Sequence, residues 1–264
     1  MSMKPTVAFF GATGGCALNT LVHALNAGYP CIAFVRTPAK LSKLLTEAPH
    51  SISQSTIDQY LTIVTGNVTD LASIKQVLVY APALVISGVG GTPTIRPNLI
   101  RPFGLDQPTI CEDTAKNIIT ALQEEGDNLA VKPHIVVLGS TGMPNTPNRD
   151  LPWAMYPLYK VMLHDPHADK EAMEKIVVTA AKQSPSVLAG YTVIRPSLLM
   201  DGEGKGLNKV RMGWDRHVLA PGPGGIGPAI GYGVRRADVG FWMFENLVKG
   251  DFREWNDRCV SLTY

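Results

Sequence analysis

The stretch Thr6-Val7-Ala8-Phe9-Phe10-Gly11-Ala12-Thr13-Gly14-Gly15-Cys16-Ala17 decides the fold of this 264-residue chain. Its first five residues form a short apolar run, the mark of a strand covered on both faces. Gly11 permits a tight turn, Gly14 lets backbone approach a ligand, and Ala17 is small enough for a helix to pack close. Next, Ala17, Leu18, Leu21, Val22 and Leu25 recur at helical spacing, and Gly28 supplies the C-terminal cap. Glycines alone say little. Between a strand and a helix, at the start of a βαβ unit, they predict a diphosphate cradle. Gly11, Ala12, Thr13, Gly14, Gly15 and Cys16 would surround a dinucleotide's phosphates, helped by the positive end of the helix dipole.

The same rhythm continues outward. Segments 31–35, 61–65, 83–87, 134–138 and 191–195 read as further buried strands, and 259–263 as a final edge strand. Helical patterns separate them at 70–80, 109–125, 167–183 and 238–249. Within 167–183, Ala172, Met173, Ile176, Val177 and Ala180 share a face, with Asp165 as cap and Pro166 as first helical residue. The expected architecture is one α/β domain over residues 1–264, a Rossmann fold with a doubly wound parallel sheet of about seven strands.

Two segments break the pattern. Residues 88–109 carry Pro93, Pro97, Pro102, Pro108, Arg96 and Arg101, and residues 197–235 carry ten glycines. Both follow strands and so fall at the carboxyl edge, where open α/β sheets bind ligands. They are expected to wall a substrate pocket, the second as a C-terminal lid.

Cofactor choice should be made after the second strand. An NAD site usually carries a carboxylate there for the ribose 2′-hydroxyl. Residues 31–40 contain no acid and offer Arg36 and Lys40 instead. Arg36 can pair with a 2′-phosphate, worth roughly 1.5–3 kcal/mol or about 10- to 100-fold in favour of NADP(H).

Composition narrows the remaining classes. A net charge of +2 gives no basic footprint for nucleic acid or an anionic membrane. No apolar run approaches the roughly 18 residues of a membrane span, and the opening residues lack a secretory h-region. Cys16, Cys31, Cys111 and Cys259 are scattered, which indicates neither a metal site nor a disulfide framework. Asn67-Val68-Thr69 matches a glycosylation pattern by chance. A reduced, cytoplasmic protein is expected, with a homodimer left open.

Gly11–Gly15 together with Val35-Arg36-Thr37-Pro38-Ala39-Lys40-Leu41, Thr65-Gly66-Asn67-Val68-Thr69-Asp70 and Val193-Ile194-Arg195-Pro196 resembles the atypical short-chain dehydrogenase/reductases, the NmrA-like NAD(P)H-binding family. The resemblance spans nearly the whole chain, and within it fungal oxidoreductases that tailor aromatic polyketides in secondary metabolism are similar. It implies that Asn67 and Val68 flank the adenine, with Asn67 where Asp is commoner. It implies that Ser87, Gly88, Val89 and Gly90 lie under the cofactor, that Ser140 and Thr141 line its nicotinamide side, and that Pro196 lies beside the ring.

Active short-chain reductases pair a proton-carrying Tyr with a Lys four residues later. Tyr156 and Lys160 have that spacing, sixteen residues after Ser140, and Pro157 confines Tyr156 to the first helical turn or before it. Lys170 stands at a better distance from Arg195-Pro196, but Pro166 occupies the tyrosine's register; its bland role is an exposed i,i+4 pair with Glu174. His164 and His167 could carry protons or merely cap. Trp153, Tyr156 and Tyr159 suit either packing or stacking on an aromatic substrate. The expected activity is NADPH-dependent hydride transfer to a small hydrophobic, aromatic carbonyl or conjugated substrate. A cofactor-sensing regulator, and an isomerase or lyase that uses the cofactor without net redox change, remain alternatives.

Overall fold

The opening apolar run becomes β1 (Val7–Phe10), fully buried, and its glycine turn leads directly into α1 (Gly15–Asn26). In this computed structural model, which describes residues 4–97, 103–126, 129–220 and 222–264, strand and helix then alternate. The first half comprises β2 (Cys31–Val35), α2 (Pro38–Thr46), α3 (Gln54–Tyr60), β3 (Leu61–Thr65), α4 (Leu71–Leu78) and β4 (Leu84–Ser87). A hairpin of β5 (Pro93–Ile95) and β6 (Phe103–Leu105) precedes α5 (Ile110–Glu125), β7 (His134–Leu138), α6 (Tyr156–Met162), α7 (His164–Lys182) and β8 (Gly190–Pro196). The remainder adds β9 (Leu198–Met200), β10 (Arg211–Asp215), β11 (Gly233–Arg235), α8 (Arg236–Met243) and β12 (Arg258–Thr263). Arg101, Pro102 and Pro221 lie outside the described residues.

Eight strands form the main sheet in the order β10-β12-β8-β7-β4-β1-β2-β3, all neighbours parallel except β10 and β12. From β1 the chain moves first to β2 on one side, and later to β4 on the other. The crevice at their carboxyl ends is the switch point where such sheets bind ligands. Residues along each strand alternate between two cores. Val7, Phe9, Ala33, Ile86 and Ile194 face α1, α2 and α8, whereas Ala8, Phe10, Ile32, Val85 and Val193 face α4, α5 and α7. This double coverage explains why the strands read as continuous apolar runs.

Three expectations need correction. The sheet has eight strands, because β10 adds antiparallel to β12; the segment expected at the edge is therefore interior. The helix expected over 167–183 begins at His164. Pro166 sits inside its first turn, where a missing N–H costs nothing because those amides have no intrahelical acceptor. The helix expected over 238–249 is α8 followed by a π-helical turn at Phe244–Val248.

Side-chain clamps fix the helices that carry the site. Asp169 of α7 is buried and accepts from the amides of Cys111 and Glu112 at 3.0 and 2.8 Å, capping α5 from a different element. Thr20 of α1 donates to the Gly240 carbonyl of α8 at 3.1 Å, where the lack of a Cβ on Gly240 brings the two helices together.

Candidate active site

A cleft of about 540 Å³ opens at the carboxyl ends of β1, β2, β3 and β4. Among the expected cofactor residues, Gly11, Thr13, Gly14, Arg36, Lys40, Val68, Gly88, Val89 and Gly90 line it. Ala12, Cys16 and Ser87 are buried beneath. The turn is tight for a visible reason. Gly11 has φ +72°, and a Cβ there would meet the backbone C of Gly88 and N of Val89, each at 2.8 Å. Two loops thus close on each other with no room for a side chain. A Cβ on Gly88 would likewise meet that of Ala17 at 2.7 Å, so Ala17 packs tightly under the β4 loop. Gly14 is the N-cap of α1 and has no side chain to satisfy the first-turn amides, and that turn holds no acidic residue. Those N–H groups and the dipole end suit a diphosphate.

At the far end of the cleft stand Arg36 and Lys40, both exposed and, among the described residues, in no ion pair. Val68 offers an apolar wall, its carbonyl held at 2.8 Å by Asn117 Nδ2. Asn67 is exposed and does not line the cleft. Its side chain accepts from the Thr69 amide at 3.2 Å, shaping the turn into α4. Thr92, Asp106, Gln107 and Ile110 also line the cleft. The first three belong to the proline-rich segment 88–109 and Ile110 directly follows it; no motif marks them individually. Asp106 ties that segment together by accepting from the amides of Thr92 and Gln107 at 2.6 and 2.8 Å. Those bonds hold its carboxyl below the ordinary value, the Thr92 amide contributing most.

The second cluster sits where β7 ends. Lys170 of α7 donates to the carbonyls of Leu138 and Gly139 at 2.7 and 2.9 Å, and Glu174 pairs instead with Arg195. The bland i,i+4 pair is therefore absent. An ammonium has three donors, so one N–H of Lys170 remains. Its charge reaches the thiols of Cys16 and Cys111, which burial pushes up to about 12 against the pull of neighbouring cations, Arg236 first for Cys16 and Lys170 first for Cys111. Its bonds place the ammonium at the carboxyl end of β7, and Lys170 is not among the residues that line the cleft. His167 Nε2 is 3.2 Å from Ser140 Oγ, and burial, with Lys170 and His164 adding to it, depresses its pKa to about 4. At neutral pH this imidazole is uncharged.

Tyr159 of α6 is buried with its ring 5.4 Å from that of His167, and burial pushes its phenol up. Its hydroxyl and Thr141 Oγ1 have no hydrogen bond of good geometry among the described residues. The Thr141 amide donates to the Pro196 carbonyl at 3.2 Å, joining the loops after β7 and β8. Tyr156 and Lys160 are placed differently. Tyr156 is the first residue of α6, half-buried against Trp153 with centroids 5.4 Å apart, and Lys160 is exposed. Asp165 holds His164 at 3.0 Å and Arg96 of the β5–β6 hairpin at 2.5 Å, pinning the hairpin to α7.

Below this cluster, Glu174 and Arg195 form a fully buried pair at 2.6 Å. Asn145 Nδ2 donates to Glu174 at 2.7 Å and lies 3.0 Å from His217 Nε2, whose pKa burial lowers to about 4. The network connects the loop after β7 and the loop after β10 to α7 and β8. Its signal in the sequence is faint, because the four residues come from four distant segments.

A doubly wound sheet, a glycine-rich turn at its switch point and two cations at the far end define a dinucleotide-binding α/β protein. The chain belongs to the family described as NAD(P)H-binding, whose model matches residues 11–247. It is 44% identical to "Reductase pytE" of Aspergillus terreus, over 100% of this chain and 99% of that protein. It is 34% identical to "Oxidase pynE" of Aspergillus niger, over 98% and 99% respectively. Among solved structures, ChuY, an anaerobilin reductase from Escherichia coli O157:H7, matches with a TM-score of 0.59 at 20% identity, covering 97% of this chain and 96% of that one, which speaks for the fold alone. The chain is an oxidoreductase with NAD(P)(H) as cofactor. Among the described residues no helix is long and apolar enough to cross a membrane.

Proposed function

We propose that the protein is an NADPH-dependent reductase of a small hydrophobic, aromatic carbonyl or conjugated substrate, within the NmrA-like short-chain reductase group and secondary metabolism. Gly11, Thr13 and Gly14 would hold the diphosphate, Arg36 and Lys40 the 2′-phosphate, and Val68 the adenine. Bound there, the cofactor supplies the hydride. The observation that carries the catalytic reading is the ammonium of Lys170, fixed by two main-chain carbonyls at the end of β7 and left with a third donor. That charge would stabilise negative charge developing on the substrate oxygen, while Ser140, braced by neutral His167, orients it. Segments 88–109 and 197–235 wall the pocket in this reading. A reduced, cytoplasmic setting is consistent with four cysteines that are all free and buried.

The test is NADPH oxidation against a panel of quinones, enones and aromatic ketones. Lys170→Met is expected to lower kcat by about 10²–10³-fold, with Tyr156→Phe and Lys160→Met close to wild type. If Tyr156→Phe abolishes turnover and Lys170→Met does not, the roles are reversed. Tight cofactor binding without turnover of any panel member would favour the sensing alternative.

A further inference from the structure

Gly15 poses a question that its backbone does not answer. It is the first residue of α1 and, unlike Gly11, has no positive φ. A helix favours alanine over glycine, so the missing Cβ needs another cause. The cause is Arg236. A Cβ on Gly15 would collide with Arg236 Cδ and crowd its Cβ and Cγ at 3.2 and 3.3 Å. The arginine's stem thus lies across the first residue of the phosphate-facing helix.

Arg236 is delivered there by the glycine-rich excursion after β8. β9 and β11 pair in parallel as a separate two-stranded sheet, so their carboxyl ends point the same way. Asp201 follows β9 and Arg236 follows β11, and their side chains meet at 2.7 Å. The Asp201 side chain is 90% exposed and that of Arg236 33%. An ion pair with so exposed a carboxylate is weak and readily exchanged for a better anion. The guanidinium also acts on the helix start, being the strongest of the charges that oppose the burial-driven rise of the Cys16 thiol.

We infer that Arg236 is a diphosphate-binding residue, a cation that the C-terminal segment lays over the amides at the start of α1. Asp201 holds it in place until the cofactor's diphosphate displaces the carboxylate. Thr20 and Gly240 keep α8 against α1, so the arm stays within reach of the turn. The excursion after β8 thereby delivers to the cofactor site the residue that follows it. The inference rests on the diphosphate site at Gly11–Gly15.

Calorimetric titration of three probes tests it: NADP⁺, 2′-phospho-ADP-ribose, which keeps the diphosphate and lacks nicotinamide, and adenosine 2′,5′-bisphosphate, which lacks the second phosphate of the bridge. Arg236→Ala is expected to weaken the first two alike, by about tenfold, and the third by under about twofold. Asp201→Asn frees the guanidinium and is expected to leave all three as tight or tighter. The inference is overturned if Arg236→Ala weakens all three equally, weakens only NADP⁺, or weakens none. It is also overturned if Asp201→Asn reproduces the Arg236→Ala loss, since the ion pair would then be purely structural. Failure of the unmodified protein to bind any probe would instead remove the cofactor site itself, and the role of Arg236 with it.

Discussion

Replacing Gly11 with alanine tests the turn on which the cofactor site is built. The residue sits at φ +72°, a conformation costing an L-residue about 1–2 kcal/mol. The new Cβ would lie 2.8 Å from Gly88 C, 2.8 Å from Val89 N and 2.9 Å from Gly88 O, all backbone atoms. Relief requires the β1 and β4 loops to part, an overpacking cost of about 1–3 kcal/mol. The stiffer unfolded chain returns about 0.4–1 kcal/mol. The net loss is about 1–4.5 kcal/mol, which at about 3 °C per kcal/mol for a domain of this size lowers Tm by about 3–14 °C. Parting the loops also moves the amides away from the phosphates, so the Kd for NADPH should rise at least about 30-fold. Gly14→Ala is the internal control. Its φ of −86° suits any residue, and its Cβ meets only Gly11 O and Gly88 O at 3.2 and 3.3 Å. Its Tm should fall by no more than about 3 °C. Scanning calorimetry and fluorescence titration of both variants give the answer. A Gly11→Ala protein that melts and binds like the wild type would refute the argument that this contact sets the cradle.

Arg36→Ala should weaken NADPH by about 10- to 100-fold and NADH by less than about threefold, with the difference shrinking as salt is raised because the side chain is exposed; equal losses would remove the 2′-phosphate from this end of the cleft. Stability should fall with acid in a defined window. His134, His167 and His217 are buried with pKa values pushed down to about 4, by burial first in each case. Their folded pKa lies below the unfolded 6.5, so their contribution is complete above about pH 6.5 and is lost as pH falls towards 4, by up to about 1.4 kcal/mol per pH unit for each histidine. Urea denaturation between pH 7 and 4.5 measures the slope, and His134→Gln should reduce it by about a third; an unchanged slope contradicts the assignment.

The fold was legible because most of its strands are buried on both faces and read as plain apolar runs, although β3, expected to be buried, is an edge strand of which only Val64 is fully covered. The residues 31–35, 61–65 and 134–138 match β2, β3 and β7 residue for residue. What escaped was structure built from polar or glycine-rich sequence. β10 (Arg-Met-Gly-Trp-Asp) alternates at only two apolar positions, Met212 and Trp214, too short a signal to stand out within a glycine-rich segment, yet it pairs with β12 and moves that strand into the sheet's interior. The cofactor cleft was legible because the glycines of its first turn, Gly11 and Gly14, lie within one contiguous motif between a strand and a helix. The candidate cluster at the end of β7 was legible only as separate residues. His167 meets Ser140, and Lys170 meets the Leu138 and Gly139 carbonyls, through contacts between residues 27 to 32 positions apart. No local pattern encodes them. Tyr156 and Lys160 had the conspicuous spacing, but that spacing concerns a helix whose Lys160 faces solvent.

The proline at position 166 constrains the chemistry that Lys170 can support. Where short-chain reductases carry a tyrosine one helical turn before the lysine, α7 has no hydroxyl. The titratable groups on this side of α7 are poor acids at neutral pH: His167 is uncharged, and the Tyr159 phenol, whose ring lies against His167, is pushed up by burial. A simple ketone gains a localised alkoxide as hydride arrives and needs a proton in nearly the same step. A quinone or enone spreads the incoming charge over a conjugated system. A fixed ammonium can then stabilise the enolate or phenolate until solvent protonates it. The site as proposed therefore favours conjugated acceptors. The ratio of kcat/KM for quinones and enones to that for aromatic ketones registers this preference. A ratio below one would mean that an acid not yet identified stands within reach of the substrate oxygen, and the electrostatic role assigned to Lys170 would have to be abandoned.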